Sequence, residues 1–148
     1  MKKLKTDGSI KGIFGFNPET KVLRPLIGTS IPAGFPSPAT DYIEGVLDLN
    51  VYLIQHKPST YFVKAAGFSM INAGIFPDDL LVVDKALEAT HKKVIIAILN
   101  GEFTVKRLHI TDDGYWLVPE NEEFEPVQIL ASDDFQIWGV VTYVIHKL

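Results

Sequence analysis

A serine follows a glycine at the end of an apolar segment, in the run Gly67-Phe68-Ser69-Met70. A strand that ends in a glycine-flanked turn can present a serine hydroxyl to solvent, with backbone N–H groups nearby to receive an oxyanion. A serine in such a place is far more often a helix cap or a turn residue. The motif by itself therefore only nominates Ser69 as a nucleophile.

A serine nucleophile needs a base, and no motif in the sequence pairs a histidine with an acidic residue. The four histidines are scattered along the chain, at His56, His91, His109 and His146. Lys106 lies within residues 102–108, whose alternation places it on one face of a strand with Thr104 and Leu108. Burial disfavours the ammonium form of a lysine, and a neutral amine can accept the proton of a serine. An exposed strand lysine is the alternative that periodicity leaves open.

Short apolar segments of strand character must position both residues. They cover residues 61–65, 80–84, 94–99, 102–108, 115–118 and 135–145. Asn100-Gly101 joins two of them, and this dipeptide is the one best suited to a two-residue type I′ hairpin. Many short strands separated by turns predict a mostly β fold, a compact and antiparallel domain.

Residues 1–40 differ from the rest of the chain because glycine and proline recur there at short intervals. That density forbids a long helix and predicts an extended, flexible N-terminal arm. Residues 41–49 are expected to form a short helix or bend. They would begin a β-rich domain that spans residues 41–148.

Composition excludes several classes of function. The formal net charge of -4 argues against broad attraction to DNA phosphates. The absence of cysteine excludes disulfides, thiolate nucleophiles and the commonest zinc frameworks, and no motif calls for a cofactor or a metal. No apolar run suits a signal peptide or is long enough to cross a membrane. We therefore expect a soluble, cytoplasmic protein.

Taken together, the motifs around Ser69 and Lys106 resemble those of the LexA/UmuD family of self-cleaving proteases. The matching runs are Gly67-Phe68-Ser69-Met70, Gly74-Ile75, Asp79-Leu80-Leu81-Val82-Val83-Asp84, Gly101-Glu102-Phe103-Thr104-Val105-Lys106-Arg107-Leu108, Pro119-Glu120-Asn121 and Trp138-Gly139-Val140-Val141. Upstream, Gly34-Phe35-Pro36-Ser37-Pro38-Ala39 and Asp41-Tyr42 resemble the cleavage region of UmuD-like members. The resemblance extends from about residue 31 to the end, with the motifs in order.

The resemblance implies a role for each matching residue. Ser69 matches the family's nucleophile, and Lys106 matches its general base. The backbone N–H groups of Phe68 and Ser69 match the oxyanion hole, and the bond between Ala33 and Gly34 matches the scissile bond. UmuD-like members usually carry Cys-Gly at the cut, whereas LexA itself uses Ala-Gly. Phe68 also departs from the aspartate common at that position in UmuD-like members.

The resemblance implies partners as well. RecA bound to single-stranded DNA would promote the self-cleavage as part of the SOS response to DNA damage. The shortened product would act as a homodimer and serve a UmuC-like Y-family polymerase in error-prone synthesis. Neither direct sequence-specific DNA binding nor membrane binding is expected.

Three other functions stay open on the sequence. A LexA-like repressor would need a DNA-binding domain, and the residues before Ala33 show no helix-turn-helix pattern. A signal-peptidase-like enzyme would share the serine–lysine chemistry but would need a membrane anchor. A non-catalytic polymerase-binding module would have no need of Ser69 and Lys106.

Overall fold

The computed structural model describes residues 3–15, 23–27 and 43–148. The chain divides into two compact units. The larger unit joins the N-terminal residues up to Phe16 with everything from His56 to Leu148. The smaller unit covers residues 17–55. The site residues Ser69 and Lys106 both belong to the larger unit.

Ten strands and one short helix make up the described part of the chain. In chain order they are β1 (Ile10–Gly15), β2 (Leu23–Ile27), β3 (Ile43–Asp48), α1 (Leu49–Leu53), β4 (Thr60–Ala65), β5 (Leu80–Asp84), β6 (Val94–Leu99), β7 (Glu102–Thr111), β8 (Gly114–Val118), β9 (Val127–Gln128) and β10 (Phe135–Ile145). Two single 3-10 turns, Lys57–Ser59 and Ile71–Ala73, precede and follow β4. The predicted mostly β fold is confirmed.

The larger unit is one eight-stranded sheet in the order β1-β4-β5-β10-β6-β7-β8-β9. Every neighbouring pair in it is antiparallel. The long strand β10 lies at the centre, where its first half pairs with β6 and its second half with β5. The register shifts once in each pairing, between Ile137 and Gly139 and again between Val141 and Tyr143. Such irregularities increase local twist, so the sheet curls around this strand.

The hairpin between β6 and β7 has the predicted turn. Asn100 and Gly101 both have positive φ, at 50° and 82°, as a type I′ turn requires. The turn fixes the register of β7, in which Glu102 pairs with Leu99 and Lys106 pairs with Ile95. The position of the candidate base is thus set by a two-residue turn at the start of its strand.

The buried apolar side chains of the larger unit form two separate clusters. Strand β6 contributes to both, because successive side chains of a strand point to opposite faces. Ile96 lies in a cluster with Val63, Leu81 and Val105, whereas Ile95 lies in a cluster with Leu108, Leu117 and Val140. Ile10 of β1 is buried in the first cluster. The N-terminal strand is therefore part of the core of the larger unit.

The smaller unit contains an antiparallel pair of strands, β2 and β3, followed by α1. The expectation of a short helix or bend over residues 41–49 is wrong in its position, since residues 43–48 are a strand and the helix begins at Leu49. Asp48 sets this boundary, because its side chain accepts a hydrogen bond from the Asn50 N–H at 2.9 Å and caps the helix.

The predicted division into an arm over residues 1–40 and a domain over 41–148 stays a prediction. Residues 28–42, which contain the expected boundary, lie outside the described residues. In the ranges that the structure does describe, no helix is long and apolar enough to cross a membrane.

Gly139 provides a test of the packing around β10. A Cβ added there would lie 2.6 Å from Cγ1 of Val83, a fully buried side chain with no room to move. We expect Gly139→Ala to lower the free energy of unfolding by about 1–3 kcal/mol, the usual cost of overpacking a core. Urea denaturation measures this loss. Gly15→Ala is the matched control, because a Cβ at that strand position meets nothing within 4 Å; an equal loss in both variants would contradict the packing argument.

Candidate active site

Ser69 lies in the turn between β4 and the 3-10 turn Ile71–Ala73. Gly67 reverses the chain there with a φ of +68°, a conformation that side chains other than glycine rarely adopt. A Cβ at Gly67 would also approach the carbonyl oxygen of Gly8 to 3.2 Å. The turn buries Ser69 to 5% exposure but leaves Phe68 60% exposed. Gly67 of the motif is therefore also required by the backbone conformation of the turn and by its close approach to Gly8.

A second loop holds the backbone of the nucleophile turn in place. The Glu120 N–H donates to the carbonyl of Ser69 at 2.8 Å, and the side-chain amide of Asn121 donates to the carbonyl of Phe68 at 2.8 Å. Both carbonyls point toward this loop. Within the described part of the chain, the N–H groups of Phe68 and Ser69 donate no hydrogen bond. An oxyanion at this turn would find both donors available.

Lys106 on β7 faces Ser69. Its Nζ lies 3.4 Å from Oγ of Ser69, and only 12% of its side chain is exposed. Nζ also donates to Oγ1 of Thr104 at 2.9 Å and to the carbonyl of Val105 at 3.0 Å. The predicted sharing of a strand face by Thr104 and Lys106 is therefore seen directly. The structure brings together the two side chains that the sequence analysis nominated.

A further side chain, the carboxylate of Asp7, lies at the site and was missed by the sequence analysis. Its Oδ2 accepts hydrogen bonds from Nζ of Lys106 at 3.1 Å and from the Thr104 hydroxyl at 2.6 Å. Its Oδ1 accepts from the hydroxyl of Ser9 at 2.5 Å. Burial alone would raise the pKa of Asp7, but these hydrogen bonds and the nearby Lys106 charge together lower it. Asp7 is therefore ionised at neutral pH.

The signal for Asp7 in the sequence is weak. The glycine and proline content of residues 1–40 predicts an extended arm. The short run Ile10–Gly15 contains two glycines, which are depleted in strands, and a sequence does not say which edge of a sheet such a strand would join. The pairing of β1 with β4 carries the residues before it to the site.

A cavity of about 350 Å³ opens in front of Ser69 and Lys106. Polar groups from residues 7–9 line one part of it, and the exposed apolar side chains Phe68, Phe124 and Val127 line another. An apolar wall with a few convergent polar groups is typical of a ligand site.

Ala33 and Gly34 lie outside the described residues. Two of the histidines do pair with acids, in contrast to the sequence interpretation: His56 Nδ1 lies 2.6 Å from Asp84 and His146 Nδ1 lies 2.5 Å from Asp79. Neither pair has Ser69 among its contacts. His91 and His109 contact each other through their rings.

A buried serine thus lies beside a strand lysine whose side chain is 12% exposed. The sequence matches the family model described as "Peptidase S24-like" over residues 25–142. This chain belongs to the S24 peptidase family, and the expected LexA/UmuD relationship is confirmed.

Curated relatives agree with this family membership. The chain is 46% identical to Protein ImpA of Escherichia coli over 126 residues, which is 84% of this chain and 85% of the relative. It is 43% identical to Protein MucA of Escherichia coli over 115 residues, covering 76% of this chain and 77% of the relative. The LexA repressor of Bordetella avium is 36% identical over 86% of this chain, which spans 59% of that repressor.

The ionised Asp7 gives the fold a specific pH dependence. Because the folded state lowers the pKa of this carboxyl, its contacts stabilise the protein above the pKa of the unfolded chain, and that stabilisation is lost as the pH falls through the folded value. We expect Asp7→Asn to be less stable than the parent at neutral pH, with the difference shrinking on acidification toward pH 3. Urea unfolding at several pH values checks this; a difference that is constant with pH would contradict it.

Proposed function

We propose that this chain is a self-cleaving serine peptidase that cuts its own bond between Ala33 and Gly34 with Ser69 and Lys106. The observation that carries the proposal is the 3.4 Å approach of Lys106 Nζ to Ser69 Oγ, with both side chains withdrawn from solvent. Membership of the S24 family supports the reaction class. The resemblance of the Ala33-Gly34 region to the family's cleavage region supports the choice of bond.

The first half of the reaction transfers the chain to the serine. The neutral amine of Lys106 takes the proton of Ser69 as Oγ attacks the carbonyl carbon of Ala33. The N–H groups of Phe68 and Ser69 receive the developing oxyanion. When the tetrahedral intermediate collapses, the bond to the Gly34 nitrogen breaks and the Lys106 ammonium returns its proton to the departing amine. The products are an ester between Ser69 and Ala33 and a chain that begins at Gly34.

The second half hydrolyses that ester. The Lys106 amine takes a proton from water as the water oxygen attacks the Ala33 carbonyl carbon, and then returns a proton to Ser69 Oγ. The N-terminal fragment ends in a carboxylate at Ala33, and the serine is regenerated. Because substrate and catalyst share one chain, the local concentration of the scissile bond replaces diffusional capture.

The biological role that we propose is that of the UmuD-like branch of the family. Activated RecA filaments on single-stranded DNA stimulate the cut in the cytoplasm. The shortened protein forms a homodimer and acts as an accessory subunit of a Y-family polymerase in SOS mutagenesis. The similarity to Protein ImpA and Protein MucA over most of the chain supports this branch, and the formal net charge of -4 agrees with action through proteins rather than through DNA.

Incubation of the purified chain at alkaline pH, or with RecA filaments, should release a fragment that begins at Gly34. Ser69→Ala and Lys106→Ala should abolish the release, because one removes the nucleophile and the other the base. Intact-mass spectrometry identifies both products. Ser59→Ala and Lys64→Ala are matched controls, since neither side chain lines the cavity beside Ser69. Cleavage of the Ser69 or Lys106 variant at the parent's rate would exclude the mechanism.

The hydrogen bond from Asn121 to the Phe68 carbonyl predicts a rate effect without a change of fold. Removing it in Asn121→Ala frees the peptide between Phe68 and Ser69, which carries the Ser69 N–H, one of the two proposed oxyanion donors. We expect self-cleavage to slow by roughly three- to tenfold, the equivalent of one hydrogen bond of about 1 kcal/mol. Densitometry of a cleavage time course measures the rate. Asn72→Ala, an exposed amide on the neighbouring turn, should cleave at the parent's rate; equal slowing in both would contradict a specific role for Asn121.

A further inference from the structure

Residues 5–9 are fastened to the strand that carries Lys106. The Phe103 N–H donates to the carbonyl of Lys5 at 2.9 Å, and the Asp7 N–H donates to the carbonyl of Phe103 at 3.0 Å. Thr6 thereby forms a parallel bridge with Phe103. The segment lies beside β7 next to the cavity, so the N-terminus contributes directly to the walls of the proposed active site.

Ser9 fixes the same segment at a second point. Its hydroxyl accepts the Val105 N–H at 2.9 Å, and its carbonyl accepts the Ala66 N–H at 2.8 Å. The first contact is to the strand of the candidate base, and the second is to the turn of the candidate nucleophile. The segment therefore bridges the two elements on which the chemistry depends. The Asp7 side chain is held by Ser9 in a single place.

In this position the Asp7 carboxylate lies against the Lys106 amine, which must be neutral to act as a base. An ammonium with a carboxylate 3.1 Å away is favoured over a neutral amine, because removing its proton would leave the carboxylate uncompensated. An ammonium has no lone pair with which to accept the serine proton. The same contact also holds the lysine nitrogen between two oxygens, those of Asp7 and Ser69.

Other charged groups do not compete with Asp7 for this role. Glu125 lines the cavity beside Ser69, and Glu102 lines an adjacent cavity, but neither contacts Nζ of Lys106. Arg107, the next residue on β7, pairs with Glu120 and donates to the Lys92 carbonyl. In the described ranges, Asp7 is the carboxylate in contact with the candidate base.

We propose that Asp7 is an inhibitory residue that keeps the dyad of the uncut chain in its inactive protonation state. The proposal rests on the proposed self-cleavage. It explains how one chain can carry both a complete dyad and its own substrate bond: the reaction waits for a neutral lysine. Asp7 precedes Ala33, so it belongs to the fragment that the reaction detaches. Any influence that lifts residues 5–9 from β7 would activate the site.

The test is the pH–rate profile of unassisted self-cleavage in Asp7→Asn, which keeps the size of the side chain and removes its charge. Removing the carboxylate charge 3.1 Å from Nζ disfavours the ammonium relative to the neutral amine, by about tenfold for an opposite charge at such a distance. We expect the alkaline limb to move to lower pH and the rate at pH 7 to rise about tenfold. Asp7→Ser should behave in the same way. Asp78→Asn is the control, because it removes an exposed pairing with Lys11 of the following strand, β1; its profile should match the parent's.

A merely structural role for Asp7 would give the opposite result. Loosening of residues 5–9 without a charge effect would slow cleavage at every pH and would not move the alkaline limb of the pH–rate profile. An unchanged or slower rate at pH 7 in Asp7→Asn, with the fold intact by circular dichroism, would overturn the proposal.

A second readout does not depend on cleavage. In the Ser69→Ala background, the side-chain resonances of Lys106 can be followed by NMR as the pH is raised, with Lys106→Arg for assignment. The midpoint should be lower when Asp7 is replaced by asparagine, and an unmoved midpoint would overturn the proposal. If the midpoint moves but the parent chain never cuts itself at any pH, the proposed function fails while the contact between Asp7 and Lys106 is verified.

Discussion

The cost of withdrawing a lysine amine from water is the constraint on which this structure depends. A buried ammonium without partners is strongly unfavourable, and the usual outcomes are pairing, loss of the proton or exposure. In this chain the Lys106 side chain is 12% exposed, and its Nζ has four oxygen neighbours. Three separated segments supply them: β7 itself, the turn after β4 and the N-terminal residues before β1. The sheet order that joins β1 to β4, and the hairpin that sets the register of β7, bring those segments to one point. Among the described residues, no buried side-chain nitrogen or oxygen is left without a hydrogen-bond partner.

The carbonyls of Phe68 and Ser69 matter as much to the candidate site as the Ser69 hydroxyl, because they hold the turn in place. A short turn held only by Gly67 would allow the peptides of Phe68 and Ser69 to rotate. The loop containing Glu120 and Asn121 donates one hydrogen bond to each carbonyl. The bond to the Phe68 carbonyl fixes the direction of the Ser69 N–H, which belongs to the same peptide. Glu120 also pairs with Arg107 on β7, which connects this loop to the strand of the lysine. The turn that carries Ser69 and the strand that carries Lys106 are thus connected through backbone as well as side-chain contacts.

Local patterns in the sequence predict much of the fold and part of the candidate site. Alternation over residues 102–108 predicted the faces of β7, and Asn100-Gly101 predicted its turn, because both are decided by residues close in the chain. The serine and the lysine could be nominated because their motifs are local, and the resemblance to a family joined them. Asp7 could not be found in that way. Its position depends on the pairing of β1 with β4 and on the contacts of Ser9 with residues 57 and 96 positions further along the chain. The start of α1 was also misplaced, because the alternative of a strand up to Asp48 depends on pairing with β2. Ala33 and Gly34, outside the described residues, are known only through their sequence.

The pairing of β1 with β4 has a consequence for the sheet after cleavage. A strand on the edge of a sheet leaves a row of unpaired N–H and C=O groups, and β1 covers that row on β4. Before the cut, β1 is tethered to the rest of the chain and returns to its place at a high local concentration. After the proposed cut between Ala33 and Gly34 it would be a separate peptide, whose return would depend on its concentration in solution. Its departure would uncover the backbone of β4 and the apolar cluster in which Ile10 is buried. Proteolysis would then do more than shorten the chain: it would turn a closed edge into a vacant strand position, which another polypeptide can fill by backbone pairing.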